Sequence, residues 1–433
     1  MNQLNTSLWG DESFTAVAVK ENFPRVMEIV AKDTAPPLYY IVLFIWTRIF
    51  GHSEVAIRSL SVLLYLGTLF IVFLIAKKIW HKKTALIATL LTLANPFLFP
   101  FAFEGRMYMI LVFTVTLSFY FFITKNVVGY ALASAAALYS QHYAVLVLFF
   151  QFLIRLIQTK SLKKNWFKLI KPYLLIGVLY LPWVYPLYKQ VTMVAGKGFW
   201  LGKPKIKDAA GLIISYLIGG RFIFAWQKFW FILILPILIL KKWSTKLKYN
   251  FIFTGWVLFP ILLAFLLSLG KTSIFYDRYL IFVIPGLMLL IAGGWRKISL
   301  PLILIFIAPF MWINLYYFTH PTKGPFRDMA TYIKNGKKIF LINYNGTAHH
   351  LWESKYYGLE APLYVPQGEL PYYVGTAQMT EKDIVKIIPQ EFSEIGVIGS
   401  EEPAKININD YHLESFQKFE KFYFSVFVKN EKI

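Results

Sequence analysis

Long uncharged blocks alternate along this chain with short basic clusters, and most of the blocks are as long as a helix that crosses a bilayer. Apolar runs without charge occupy 59–76, 84–103, 107–124, 172–188, 249–270, 279–295 and 298–318, each near the ~20 residues that a spanning helix needs. The basic clusters fix the topology, because cytoplasmic loops concentrate Lys and Arg. Lys77, Lys78, Lys82 and Lys83 form the first; Arg155, Lys160, Lys163, Lys164, Lys168 and Lys171 the second; Lys241, Lys242, Lys246 and Lys248 the third; Arg296 and Lys297 the fourth. With all four inside, the uncharged stretch 126–154 must be two short helices rather than one long one. By the same parity, 209–240 crosses once in its second half and leaves AAGLIISYLIGG outside as a re-entrant or interfacial helix. Ten spans follow, with both termini outside.

Beyond residue 318 the pattern changes. Residues 319–433 hold thirteen Lys and Arg against fourteen Asp and Glu, with no long apolar run. KKIFLINYN, EIGVIGS and FYFSVFV carry the β-branched and aromatic enrichment of strands, while DMATYIKNG and TEKDIVKII read as short helices. The chain is therefore expected to be a polytopic α-helical membrane protein with a small soluble extracytoplasmic α/β domain at 319–433. Residues 1–318 form the membrane domain and 1–57 its first extracytoplasmic loop. Within that loop the apolar stretch after Pro37 meets Arg48 after ten residues. It is too short to span, so a helix lying in the interface is expected, started by two prolines and ended by Gly51.

Composition agrees with this picture and removes other classes. Of 433 residues, 57% are hydrophobic and 16% charged, and the mean hydropathy is +0.52, which a soluble globular chain of this length does not reach. The absence of cysteine rules out a disulfide scaffold and a thiolate metal site. The net charge of +22 lies in the loop clusters of a membrane protein, so nucleic acid is not an expected partner. Met1 to Glu12 has neither a basic leader nor an apolar core.

The acids are more informative than the bases. The first 318 residues contain only Asp11, Glu12, Glu21, Glu28, Asp33, Glu54, Glu104, Asp208 and Asp277. None falls in an expected span, and all lie on the outer side. Avoidance of the cytoplasmic surface would explain their absence from the basic loops, but not the density of six acids up to Glu54. Arg58, Arg106, Arg221 and Arg278 share the outer face, with aromatic neighbours in FEGRMY and FYDRYLIF. Carboxylates with guanidiniums at one membrane face suit transfer of a sugar from a lipid phosphate. A carboxylate accepts the proton of the attacking hydroxyl, and fixed positive charge holds the departing phosphate. Such a leaving group needs no second carboxylate as proton donor, unlike the pair in hydrolytic glycosidases.

LWGDES at 8–13, DTAPPLYY at 33–40, GHSEVAIR at 51–58, FEGRMY at 103–108 and DRYLIFVIP at 277–285 together resemble the C-type (GT-C) glycosyltransferase superfamily. The likeness is to the group of family 39, the protein O-mannosyltransferases and aminoarabinose transferases, and it covers residue 8 to about 318. It implies a GT-C fold, a donor bearing a sugar on a polyprenyl phosphate, an outer-face active site, and a glycan, lipid or protein acceptor in the cell envelope. It further implies a multi-pass protein of the cell membrane, in contact with membrane lipid. By position, Asp11 matches the general base, with Glu12 beside it, and Asp33 the acid before the paired prolines. Arg106 and Tyr108 match the Arg-x-Tyr motif near the carrier phosphate, Arg278 and Tyr279 the later Arg-Tyr pair. Glu104 fits a supporting role, and Arg58 is counted with the supporting groups as an outer-face arginine. Two departures stand out: Ala35 replaces the usual His or Lys before the prolines, and the transmembrane helix that relatives carry ahead of the LWGDES-like segment does not precede it here, which a start codon assigned too far downstream and a genuine loss explain equally.

Smaller signals weigh against these. His142 in YSQHYAV sits at the outer end of the expected hairpin, where a structural histidine outweighs a contact with donor or acceptor. His349 and His350 are adjacent rather than four apart, which disfavours zinc. A divalent metal held by Asp11, Glu12 or Asp33, by analogy with other branches of the superfamily, ranks below metal-free catalysis. Lys189, Lys197, Lys203, Lys205 and Lys207 gather in one outer loop, either to recruit an anionic ligand or because long loops tolerate charge. The rival function is a lipid or sugar transporter or flippase, which calls for polar groups at the bilayer midplane or inverted repeats; neither is visible.

Overall fold

The computed structural model describes residues 1–159, 162–197, 201–220, 247–270, 272–344, 349–370 and 375–430. Arg221, the span expected in the second half of 209–240, Lys160, and Lys241, Lys242 and Lys246 of the third basic cluster lie outside the described residues. The chain divides into two compact units, one formed by 1–34, 42–57 and 319–433, the other by 35–41 and 58–318. The cut differs from the linear boundary at 318/319, because the N-terminal segment packs with the C-terminal residues.

In the first unit, helices α1 (Gly10–Ala18) and α2 (Phe23–Lys32) precede the later part of α3 (Leu38–Phe50). At thirteen residues α3 is about 20 Å long, against the roughly 30 Å of a bilayer core. Gly51 ends it with φ +84°, a conformation that glycine adopts without strain. Arg48, the residue that interrupts the apolar stretch, donates to the carbonyls of Val19 and Glu21 at 2.9 and 3.0 Å and so closes the end of α1.

A six-stranded mixed sheet forms the rest of this unit, built from β1 (Phe340–Asn343), β2 (Leu363–Tyr364), β3 (Ile384–Val385), β4 (Glu394–Gly399), β5 (Tyr411–Phe419) and β6 (Phe422–Lys429) in the order β3-β2-β1-β4-β6-β5. β1 runs parallel to β2 and β4, while β6 is antiparallel to β4 and β5. Alternation along β4 sends Ile395 and Val397 to one core and Ile398 to the other, where it meets Phe326, Met329 and Ile333 of α14 (Phe326–Asn335). The strands expected at KKIFLINYN, EIGVIGS and FYFSVFV and the helix at DMATYIKNG are present. TEKDIVKII is not a helix but a 3₁₀ turn, Glu381–Asp383, running into β3. Asp383 accepts from the N–H and hydroxyl of Thr380 at 2.8 and 3.0 Å and pairs with Lys355 at 2.6 Å. That turn releases Ile384 and Val385 to pair with β2, so strand pairing overrides local helix propensity.

The second unit is helical. Among the described residues, four helices are long and apolar enough to cross a membrane, by length and composition: α4 (Glu54–Ile79), most of which lies in this unit, α9 (Leu162–Lys197), α11 (Leu247–Ser268) and α13 (Leu300–Thr319). Shorter apolar helices are α6 (Tyr108–Thr124), α7 (Val127–Ser140), α8 (Ala144–Gln158) and α12 (Ile284–Trp295). Stretch 126–154 is two helices, as the basic clusters require. Run 84–103 is not one span: α5 (Lys82–Leu93) stops, and Phe99–Phe103 form a 3₁₀ turn. Between them the Asn95 side-chain oxygen accepts from the N–H groups of Phe97 and Leu98 at 3.2 and 2.8 Å, and Pro96 has no N–H to continue a helix. AAGLIISYLIGG falls mostly in α10 (Ile206–Ile218). Packing is close enough that a Cβ on Gly255 would meet the ring of Phe150, and Trp256 stacks on Phe119 with centroids 3.7 Å apart.

Candidate active site

The residues singled out in the sequence divide between the two units. Asp11, Glu12 and Asp33 are in the first; Arg58, Glu104, Arg106, Tyr108, His142, Arg278 and Tyr279 are in the second.

In the first unit, α1 begins at Gly10 with Trp9 as its N-cap, and Asp11 follows at once. It is the second residue of the first turn, where the helix dipole favours a carboxylate. Glu12, the third residue, is fully buried. Lys323 Nζ donates to its Oε2 at 2.9 Å, and the Trp9 N–H reaches the same oxygen at 3.4 Å. The far side of α1 packs on α15 (His349–Tyr356), with Phe14 edge-on to Trp352 at 5.3 Å, and Gln378 donates to the Phe14 carbonyl at 2.9 Å. Asp33 is the C-cap of α2 and half-buried. Glu54 accepts from Arg327 at 3.2 Å and from the Tyr357 hydroxyl at 3.1 Å. Burial, then the charge of Glu54, raises the pKa of Tyr357, which keeps it a neutral donor.

In the second unit, Tyr108 opens α6 within the electrostatic reach of Tyr279, Arg106, Arg278 and Glu104. FEGRMY and DRYLIF therefore meet, although about 170 residues separate them. Arg278 lies in a 3₁₀ turn, Asp277–Tyr279. Its guanidinium donates to the Tyr108 hydroxyl and lies 5.9 Å from the ring centre of Tyr276. Burial opposes its charge, but Tyr108, Glu104 and Tyr276 outweigh that cost and leave its pKa raised, a fixed cation. The turn is anchored where Tyr216 donates to the Asp277 carbonyl at 2.7 Å. The Glu104 carbonyl in turn accepts from the Ser61 hydroxyl of α4.

Arg58 is not at a loop surface but inside α4 and fully buried. His142 stands in the turn between α7 and α8, 3.0 Å from Gln190 Oε1 and 3.3 Å from the Tyr180 hydroxyl, and burial lowers its pKa. The next residue, Tyr143, packs on Tyr279 with ring centres 5.0 Å apart, which links the hairpin turn to the arginine cluster. Sequence reasoning missed Tyr143, Tyr276 and Lys323. Tyr276 stood within the quoted FYDRYLIF, whereas Lys323 gave only one cue, its place between Pro321 and Pro325 after the last apolar run. Among the described residues, no three His, Cys, Asp or Glu side chains group closely enough to hold a metal ion.

Residues 34–188 match the sequence family described as dolichyl-phosphate-mannose-protein mannosyltransferase. No curated protein matches the chain. Among solved structures, ArnT from Cupriavidus metallidurans in the apo state superposes with a TM-score of 0.65 at 12% identity, over 98% of this chain and 95% of the other. The same protein bound to undecaprenyl phosphate gives 0.63 at 13% identity with the same coverage. At such identity the likeness establishes the fold.

Proposed function

The chain has the fold of the C-type glycosyltransferase superfamily, and from that premise we propose that it is a membrane glycosyltransferase using a polyprenyl-phosphate-linked sugar. The acceptor is a hydroxyl or amine of a cell-envelope glycan, lipid or protein at the outer membrane face. The observation that carries this reading is the cluster of Arg106, Arg278, Tyr108, Tyr279 and Glu104. Two guanidiniums beside phenol hydroxyls offer a phosphate planar, charge-assisted donors without a metal ion's geometry. The family match over 34–188 and the ArnT-like fold support the same chemistry.

The acceptor oxygen or nitrogen attacks the anomeric carbon and its proton passes to Asp11. The bond from that carbon to the phosphate oxygen breaks, and polyprenyl phosphate leaves with the electron pair. Arg106 and Arg278 stabilise the charge that grows on it, and Glu12 orients the turn that bears Asp11. The test is turnover by the purified protein in liposomes with a panel of polyprenyl-phosphate sugars and envelope acceptors. Release of polyprenyl phosphate dependent on acceptor supports transfer. Movement of the lipid between leaflets without bond cleavage would establish the transporter reading instead.

A further inference from the structure

We propose that Lys323 is a positioning residue for this reaction, its ammonium holding Glu12 and through it the first turn of α1 that presents Asp11. The inference rests on the transferase reading above. Side-chain exposures of 8% for Lys323 and 0% for Glu12 show that the pair has left water. Taking two charges out of solvent is costly, and one without the other is far worse, so each fixes the other's place. Glu12 also receives the Trp9 N–H, which ties the ion pair to the N-cap of the helix.

Lys323 is itself held. It stands in HPTKGPF, where prolines at 321 and 325 restrict the backbone. A Cβ on the neighbouring Gly324 would meet the side chains of Phe422 and Lys421 below 3.0 Å, so the segment lies tight against β6. Three further bonds lace it to the N-terminal residues: Gln3 to the His320 carbonyl at 3.2 Å, the Arg327 N–H to the Ser7 hydroxyl at 3.1 Å, and the Arg327 guanidinium to the Asn5 carbonyl at 3.1 Å. The charged groups of α15, which packs on α1, have their own partners: His350 and Glu353 lie 2.8 Å apart, and Lys355 binds Asp383 at 2.6 Å. Lys323 thus brings a buried ammonium to Glu12, next in sequence to Asp11 in the same first turn of α1.

The experiment compares Lys323→Met, Lys323→Arg, Glu12→Gln with Lys323→Met, and Asp11→Asn in liposomes, scoring kcat per folded molecule, donor KM, and hydrogen exchange of the Trp9–Thr15 amides. Lys323→Met is expected to lower kcat roughly 10- to 100-fold with KM within about twofold, as for a misplaced catalytic group, and to speed exchange of those amides. Lys323→Arg should recover most of both. The double variant should also recover, since no charge is then stranded and a glutamine oxygen still accepts from Trp9. Lys323→Met with wild-type kcat, or a loss that the double variant does not relieve, would overturn the positioning role. Asp11→Asn with full turnover would instead overturn the reading of Asp11 as base, and the exchange rates would still report whether Lys323 holds the turn.

Discussion

The two regions that carry the candidate residues treat charge in opposite ways. Around α1, the carboxylates of Glu12 and Glu54 are met by an ammonium and a guanidinium group at 2.9 and 3.2 Å. Around Tyr108, the Arg278 guanidinium meets a phenol hydroxyl, the face of a phenol ring and the field of one carboxylate. Neutral phenols orient a guanidinium without cancelling it. The first arrangement braces the turn of α1; the second sets guanidinium groups beside phenols. The contrast predicts which substitutions act on shape and which on binding.

The largest effects concern whether these regions face the compartment that the basic clusters assign to them. Cysteines at Ser393 and Ser299, both exposed, can be read without background because the chain has none. An impermeant thiol reagent on intact cells should label the first fully and spare the second. The opposite pattern would invert the topology and remove the outer-face site. Next in size is Asp11→Asn. A positioned carboxylate contributes ~10²- to 10⁴-fold to a proton-transfer step, whereas its stabilisation of the helix dipole is worth only about 0.3–1 kcal/mol. Turnover should fall by at least about 100-fold with thermal stability and donor binding nearly unchanged. A variant that keeps a tenth of the activity or more would assign Asp11 to the helix dipole alone.

How far the sequence revealed this depends on whether the cause is local. The apolar blocks, the hairpin at His142, the helix closed by Gly51 and strands β1, β4 and β6 were legible because each follows from composition or turn chemistry within a few residues. The break inside 84–103 was also local, an Asn-Pro pair that marks a turn, but uninterrupted hydrophobicity hid it. Strand β5 was illegible for another reason: it is an edge strand carrying Glu414 and Lys418, with most of its residues exposed, so it lacks the apolar alternation of a buried one. The meeting of Tyr108 with Arg278, and of Glu12 with Lys323, depends on partners about 170 and 311 positions away. The motifs named Glu12, Tyr108 and Arg278, and tertiary packing brought Tyr108 to Arg278 and supplied Lys323.

Smaller again are the arginine substitutions. Arg278→Ala removes charge-assisted donors worth about 1.5–3 kcal/mol, so donor affinity should drop roughly 10- to 100-fold. Lysine should recover part of the affinity but not the full rate, because a point charge cannot reproduce a planar fork. Titration with polyprenyl phosphate alone suffices to measure this. Unchanged affinity in Arg278→Ala and Arg106→Ala together would take both out of the site and dissolve the contrast between the regions.

The smallest effect is expected at the second ion pair of the first unit, where the comparison can be sharpened. Arg327 and Glu54 are 35% and 13% exposed, so water screens their attraction, and a pair of this kind is worth roughly 0.2–1 kcal/mol. Arg327→Met should therefore lower the unfolding temperature slightly and leave kcat and donor affinity unchanged. Tyr357→Phe removes the hydroxyl that accepts from the Leu8 N–H at 2.9 Å and donates to the Glu54 carboxylate, about 1 kcal/mol for the neutral bond and about 1.5–3 kcal/mol for the one to a charged acceptor, and should again act on stability alone. The buried pair Lys323–Glu12 differs in burial and in its contact with the N-cap of α1, not in chemical type. If Arg327→Met reduced turnover as strongly as Lys323→Met, general loosening of the unit would account for both, and the first turn of α1 would have no special dependence on its own cation.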